Sequence, residues 1–206
     1  MNITENAFKE LVNKIESALK VDIISHRAVF FNNLNVMQAG LQSQQIDEIS
    51  TYRSVARYII AQNPKYTVLE NHSLDFVDAF CFALRKDHED LRNVLDSAIT
   101  ELKDNGTLDK LVNTYITKIN SAEEIPETEL PHIEGADTIK VAVTGDLPPM
   151  DYVAADGHST GFNVALLGEI GKIIGKNFEL IRVDSAGSNR WRNTRRFRCL
   201  RRTFGH

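Results

Sequence analysis

Residues 139–183 read IKVAVTGDLPPMDYVAADGHSTGFNVALLGEIGKIIGKNFELIRV, and the changes of pattern inside this stretch decide the fold. Ile139–Val143 is an apolar, β-branched run that predicts a strand. Asp146–Pro149 predicts a tight turn, and Tyr152–Val153 leads to a second turn at Asp156-Gly157. Phe162–Ile174 predicts a helix and Phe178–Val183 a strand. The result is a β-hairpin-α-β unit. Gly168, Gly171 and Gly175 lie in or beside its helix and not directly behind the first strand, so they suit close helix–sheet packing and not a dinucleotide-binding turn.

Working towards the N-terminus, residues 120–137 carry Glu123, Glu124, Glu127 and Glu129 with Pro126 and Pro131 and few large apolar residues. That composition predicts a solvated, semi-extended linker. Before it, Thr107 starts a helix with Leu108, Leu111, Val112, Tyr115 and Ile116 inward, and His88–Lys103 predicts a longer one with Leu91, Val94, Leu95, Ala98, Ile99 and Leu102 on one stripe. Asn105-Gly106 separates the two as a left-handed cap. Tyr66–Leu69 and Ala79–Leu84 predict strands, and a helix carrying Val55, Ala56, Ile59 and Ile60 must stop near Asn63, ahead of Pro64. Further back, Phe8 to Leu19 and Leu34–Leu41 predict helices, and Val21–Ile24, Ala28–Phe31 and Gln45–Ser50 short strands. Strands alternating with helices predict an α/β architecture with a largely parallel sheet.

Composition narrows the function class. The 206 residues are 42% hydrophobic and 25% charged, ordinary globular values. No run approaches the roughly 18 apolar residues of a membrane span, and the N-terminus lacks a basic region followed by an apolar stretch, so a soluble chain without a signal peptide is expected. Cys81 and Cys199 form no CxxC or Cys/His pattern, so neither a disulfide framework nor a zinc site is expected. The six histidines are scattered with no i, i+4 pair, and no GxSxG, HExxH or Walker loop occurs. No metal or cofactor is expected.

The net charge of −4 hides an asymmetry. Residues 189–206 hold seven arginines and no acid, while the rest carries 17 basic against 28 acidic residues. Three readings of this basic tail stand. It is an arm that engages nucleic-acid phosphates and stacks Trp191 and Phe197 on bases, a patch for anionic membrane, or a segment read out of frame. The abrupt change of charge inside an expected element favours the last, so no nucleic-acid partner is expected.

Three stretches together resemble the amino-acid-binding family of type II solute-binding proteins, the extracytoplasmic receptors of ABC importers. They are Phe80–Ile116, with FALRKDHEDLRNVLDSAITELKDNGTLDKLVNTYI; residues 30–60, FFNNLNVMQAGLQSQQIDEISTYRSVARYII; and Ile139–Val183 with its Pro-Pro turn, Asp-Gly hairpin and TGFNVALLGEI. The resemblance implies a periplasmic-binding-protein-like type II fold, α/β with mixed sheets flanked by helices. In the family the piece like Ile139–Val183 opens the chain, whereas here it follows the piece that closes it. The expected division is residues 1–119 as a lobe-2-like and return segment, 120–137 as linker, 138–185 as the first part of lobe 1, and 186–206 as the non-native tail. A fusion of two receptors, a circular permutation and a fragment of a tandem protein all account for this order.

By the same resemblance the chain binds an amino-acid-like small polar ligand outside the cytoplasm and hands it to an ABC permease. The alternatives are a ligand-sensing domain of a signalling protein and a dehydratase-type enzyme, for which Asp146 is the candidate carboxylate. A zwitterion needs a bidentate arginine or free N–H groups for its carboxylate, an acid for its ammonium and an apolar wall. The turn implied to line the cleft offers Asp146, Leu147, Met150 and Tyr152, with Leu147 and Met150 where the family carries aromatics; simple packing of both is the competing reading. From the other lobe the resemblance implies Ser50, Thr51 and Tyr52, the last where the family has its ammonium-binding acid, together with Phe76 and Asp78. Ser50 and Thr51 have helix capping as their alternative role. The family's carboxylate-clamping arginine has no counterpart in matching context. Incomplete lobes leave open sheet edges, which makes a homodimer by segment exchange an expected partner state.

Overall fold

The computed structural model describes residues 5–19, 28–69, 81–119, 125–183 and 197–199. They fall into two compact units, Met1–Tyr52 and Arg53–His206.

In the N-terminal unit, helix α1 spans Glu5–Leu19 and α2 spans Leu34–Gln42. Asn33 starts α2 by accepting the Val36 N–H at 2.9 Å, which satisfies one of the donors that a helix start leaves open. Phe8 meets Phe30 edge to face at 6.1 Å between ring centroids. A Cβ on Gly40 would lie 3.2 Å from Phe31 Cζ, so the missing side chain is what lets Phe31 lie against α2. The strands expected at 28–31 and 45–50 are absent: both stretches are irregular. After α2 the chain folds back locally, with Gln44 in the left-handed region at φ 59° and the Gln45 N–H on Gly40 O at 2.9 Å. These donors find partners within a few residues, so residues 45–46 do not need a sheet ladder. The strand expected at 21–24 lies outside the described residues.

The C-terminal unit is mixed α/β. It runs α3 (Arg53–Gln62), β1 (Ala83–Arg85), α4 (Glu89–Asp104), α5 (Thr107–Val112) continued by a π-helical turn at Asn113–Thr117, β2 (Thr138–Val143), β3 (Asp146–Leu147), β4 (Asp151–Val153), β5 (Ser159–Thr160), α6 (Phe162–Ile174), β6 (Asn177–Arg182) and β7 (Phe197–Cys199). Helix α3 ends one residue before Asn63, as Pro64 demands. Gly106, at φ 76°, separates α4 from α5. Residues 66–69, expected as a strand, are irregular; of the strand expected over 79–84, residues 79–80 lie outside the described residues and, among the described ones, Ala83 and Leu84 fall in β1.

A largely parallel sheet is expected from the alternation of strands and helices; the described residues form three small sheets, one parallel and two antiparallel. β2 pairs in parallel with β6, from Thr138 opposite Asn177 to Val143 opposite Arg182. β3, β4 and β5 form an antiparallel meander, and β1 pairs antiparallel with β7. The physical reason is connection length. The connection through α6 is long enough to return the chain parallel, whereas the links between β3, β4 and β5 are turns that reverse it.

Helix α6 organises the core. Phe162, Val164, Leu166, Leu167 and Ile170 are all buried, so it is apolar nearly all round and must be covered on more than one side. It touches α4, α5, β4, β5 and β6. From α4 the stripe Leu95, Ala98 and Leu102 joins the same cluster, as do Tyr58 of α3 and Phe178 of β6. Segments on both sides of the expected linker therefore share one core. The linker is itself laced down where described: Ile125 is buried, and Asn177 Oδ1 accepts the Ile133 N–H at 2.7 Å while its Nδ2 donates to Ile133 O and Ala136 O at 2.8 and 3.1 Å.

Cys81 is disulfide-bonded, which corrects the expectation from cysteine count. Two cysteines 118 positions apart show no spacing signature, and it is the β1–β7 ladder, with Ala83 opposite Cys199, that brings their segments together. The remaining residues of the arginine-rich tail lie outside the described residues.

Candidate functional site

The site is built where β2 ends. Thr144 and Gly145 leave the strand, Gly145 in the left-handed region at φ 69°, and the chain enters the β3–β4 hairpin around Leu147-Pro148-Pro149-Met150. Asp146 and Leu147 are half-buried on β3, with Asp146 opposite Tyr152 and Leu147 opposite Asp151 in the ladder. Met150 is 2% exposed and belongs to the core cluster; it packs beneath the hairpin and does not form the surface of a cleft. Leu147 also packs on that cluster. Asp146 and Tyr152 are polar side chains of this hairpin, Tyr152 itself packed on the same cluster.

Tyr152 is half-buried, its ring 5.6 Å from that of Tyr58 at 53°. Burial, reinforced by Tyr58, Glu127 and Tyr115, pushes the Tyr152 phenol up to about 12. Tyr115 shares a hydrogen bond with Thr128. The aromatic pair here comes from α3 and β4; the turn residues at 147 and 150 are aliphatic.

Asp151, which the sequence reading passes over in favour of Asp146, is the buried acid. Its carboxylate accepts the Gly145 N–H at 2.8 Å, Asn163 Nδ2 at 2.9 Å and Thr144 Oγ1 at 3.3 Å. Burial raises its pKa above the usual carboxylate range, opposed by those three hydrogen bonds. It joins the end of β2 to the first turn of α6. Alternation gives no signal for it, because its neighbours Met150 and Tyr152 both pack on the core cluster and period 2 would turn Asp151 to the other face.

At the far end of the hairpin, Gly157 sits at φ 96° and the His158 N–H donates to Asp156 Oδ1 at 3.1 Å. His158 Nδ1 also contacts Asp156, and this residue's backbone N–H is the main cause holding the Asp156 carboxyl below its ordinary value. Glu127 lies close to both. Sequence reasoning missed this group because its members share no periodicity.

Ser50, Thr51 and Tyr52 close the N-terminal unit, Ser50 exposed and the others half-buried; Phe76 and Asp78 lie outside the described residues. An open depression on α4 is lined by Asp96, Ser97, Thr100 and Glu101 among others. Its hydroxyls are spent within the helix, Ser97 on Asn93 O and Thr100 on Asp96 O at 2.9 and 2.7 Å. Among the described residues no helix is long and apolar enough to cross a membrane. No family model, curated protein or solved structure matches the chain.

Proposed function

We propose that the chain binds a small polar, amino-acid-like solute outside the cytoplasm, in the manner of an extracytoplasmic binding protein that delivers cargo to an ABC permease. The observation that carries this reading is the unit from β2 to β6. A parallel strand pair is crossed over by α6, and the hairpin that follows the carboxyl end of β2 carries Asp146 and Tyr152, the position where open α/β sheets take their ligands. A type II solute-binding fold accounts for that unit. The disulfide at Cys81 supports an oxidising compartment.

The test is a thermal-unfolding screen against the standard amino acids. A ligand at 100 times its dissociation constant stabilises the native state by about 2.7 kcal/mol, and Asp146→Asn with Tyr152→Phe should abolish most of that gain. An unfolding temperature that no amino acid raises removes the reading.

A further inference from the structure

Strands β2 and β6 make a parallel sheet with no third strand among the described residues. Its ladder runs from the Asn177 N–H on Asp137 O to the Val183 N–H on Val143 O, both at 2.9 Å. Successive residues of a strand in such a ladder turn their backbone groups to opposite edges. Ile139, Val141 and Val143 therefore bond to β6, while Thr138, Lys140 and Ala142 turn their N–H and C=O groups away from it. Among the described residues no group pairs with that outer row, and Thr138, Lys140 and Ala142 are all exposed. The opposite edge is less open, because β6 begins with the buried Asn177 and Phe178.

A row of unpaired donors and acceptors is a template for another strand, and the strand that fits it is β2 itself. Laid antiparallel about a two-fold axis at Val141, β2 sets Lys140 opposite the partner's Ala142, Ile139 opposite the partner's Val143 and Thr138 opposite the partner's Thr144. The outward backbone groups of Lys140 and Ala142 then meet, as a hydrogen-bonded antiparallel pair requires, and no two charges face each other. Sliding one strand by two residues would put Lys140 against the partner's Lys140, which fixes the register. The faces match as well. Ile139 and Val141 pack on the core yet are only half-buried, and in this register the second copy continues their apolar face. Lysines guard many sheet edges against such pairing, but Lys140 reaches Glu179 of its own sheet at 3.6 Å, which offsets its charge.

We propose that β2 is an association edge, which pairs antiparallel with β2 of a second copy of this chain to give a continuous sheet in the order β6-β2-β2-β6. The inference stands apart from any solute bound at the β3 turn. Each pairing of Lys140 with the partner's Ala142 exchanges both N–H···O bonds. An edge of 6 residues buries less surface than a permanent interface needs, so the dimer is a weak one that forms at high micromolar concentration.

The experiment is sedimentation equilibrium of the full chain from micromolar to millimolar concentration, with Ala142→Lys, Ala142→Glu and Ala142→Pro beside the parent. Ala142→Lys sets a second ammonium opposite the partner's Lys140, and Ala142→Glu sets a carboxylate there. Dimerisation should weaken in the first and tighten in the second, each by about two- to thirtyfold, since the pair occurs twice across the two-fold axis. Ala142→Pro removes an outward N–H and spares the β2–β6 ladder, so it should abolish the dimer. Circular dichroism checks each fold; should Ala142→Pro unfold, the two charge variants decide, because residue 142 is exposed. A parent chain that stays monomeric at millimolar concentration overturns the proposal. So does a dimer that the two charge variants shift in the same direction or not at all, the result expected of segment exchange or of contact through another surface.

Discussion

Replacing Asp151 by alanine removes the single acceptor of three donors: the Gly145 N–H at 2.8 Å, Asn163 Nδ2 at 2.9 Å and Thr144 Oγ1 at 3.3 Å. The residue is 7% exposed, so water reaches the stranded donors poorly. A hydrogen bond to a charged group is worth about 1.5–3 kcal/mol. The Thr144 hydroxyl, the longest of the three, can rotate away, and the lost desolvation of a buried carboxylate offsets part of the rest. The net expectation is a loss of about 2–4 kcal/mol for Asp151→Ala and about 1–2 kcal/mol for Asp151→Asn, which keeps the shape and one acceptor. Urea unfolding followed by far-UV circular dichroism at neutral pH measures both, with an unchanged dependence on denaturant showing that the denatured state is the same. A loss below about 1 kcal/mol for the alanine variant would show that the carboxylate does not join β2 to α6. The pH dependence adds a sign. Burial raises the Asp151 pKa above its ordinary 3.8, so between the two values the native state holds more protons than the unfolded one. Its contribution to stability is then complete below 3.8 and is lost as pH rises through the folded value. The margin of the parent chain over Asp151→Asn should narrow as pH rises from acid towards neutral; a widening margin contradicts the assignment.

Gly161→Ala should cost about 2 kcal/mol or more, because φ is 112° and the new Cβ would lie 2.7 Å from Pro149 O and 2.8 Å from Met150 O. Gly157→Ala, at φ 96° with no atom within 4 Å, should cost only about 1 kcal/mol; equal melting temperatures for the two variants would refute the steric argument. Tyr152→Phe should delete a tyrosinate transition near 12 from an ultraviolet titration. Since the native state keeps this proton longer than the unfolded chain, Tyr152 should also make stability fall as pH climbs from 10 towards about 12. Reducing the disulfide at Cys81 should lower stability by about 2–4 kcal/mol, read as a drop in melting temperature with reductant; an unmoved transition would mean that the β1–β7 pairing needs no covalent tie.

What the sequence by itself determines is local. The apolar run Phe162–Ile174 between Gly161 and Gly175 specifies α6 to the residue, and Pro64 and Gly106 stop α3 and separate α4 from α5, because helices draw their hydrogen bonds from neighbours four residues away. The hairpin turn at Asp156-Gly157 is legible for the same reason. Residues 45–50 read equally well as a strand and are none, since a strand exists only where another strand accepts its ladder, and pattern alone cannot supply that partner. Tertiary structure also decides the candidate site. Met150 and Asp151 are adjacent in the chain, yet one becomes core and the other the acceptor for three donors only once α6 packs behind the hairpin. Glu127 meets His158 through the Thr128–Thr160 hydrogen bond, and the β1–β7 ladder brings the two cysteine segments together. Each of these depends on groups remote in sequence and close in space, a relation that periodicity does not encode.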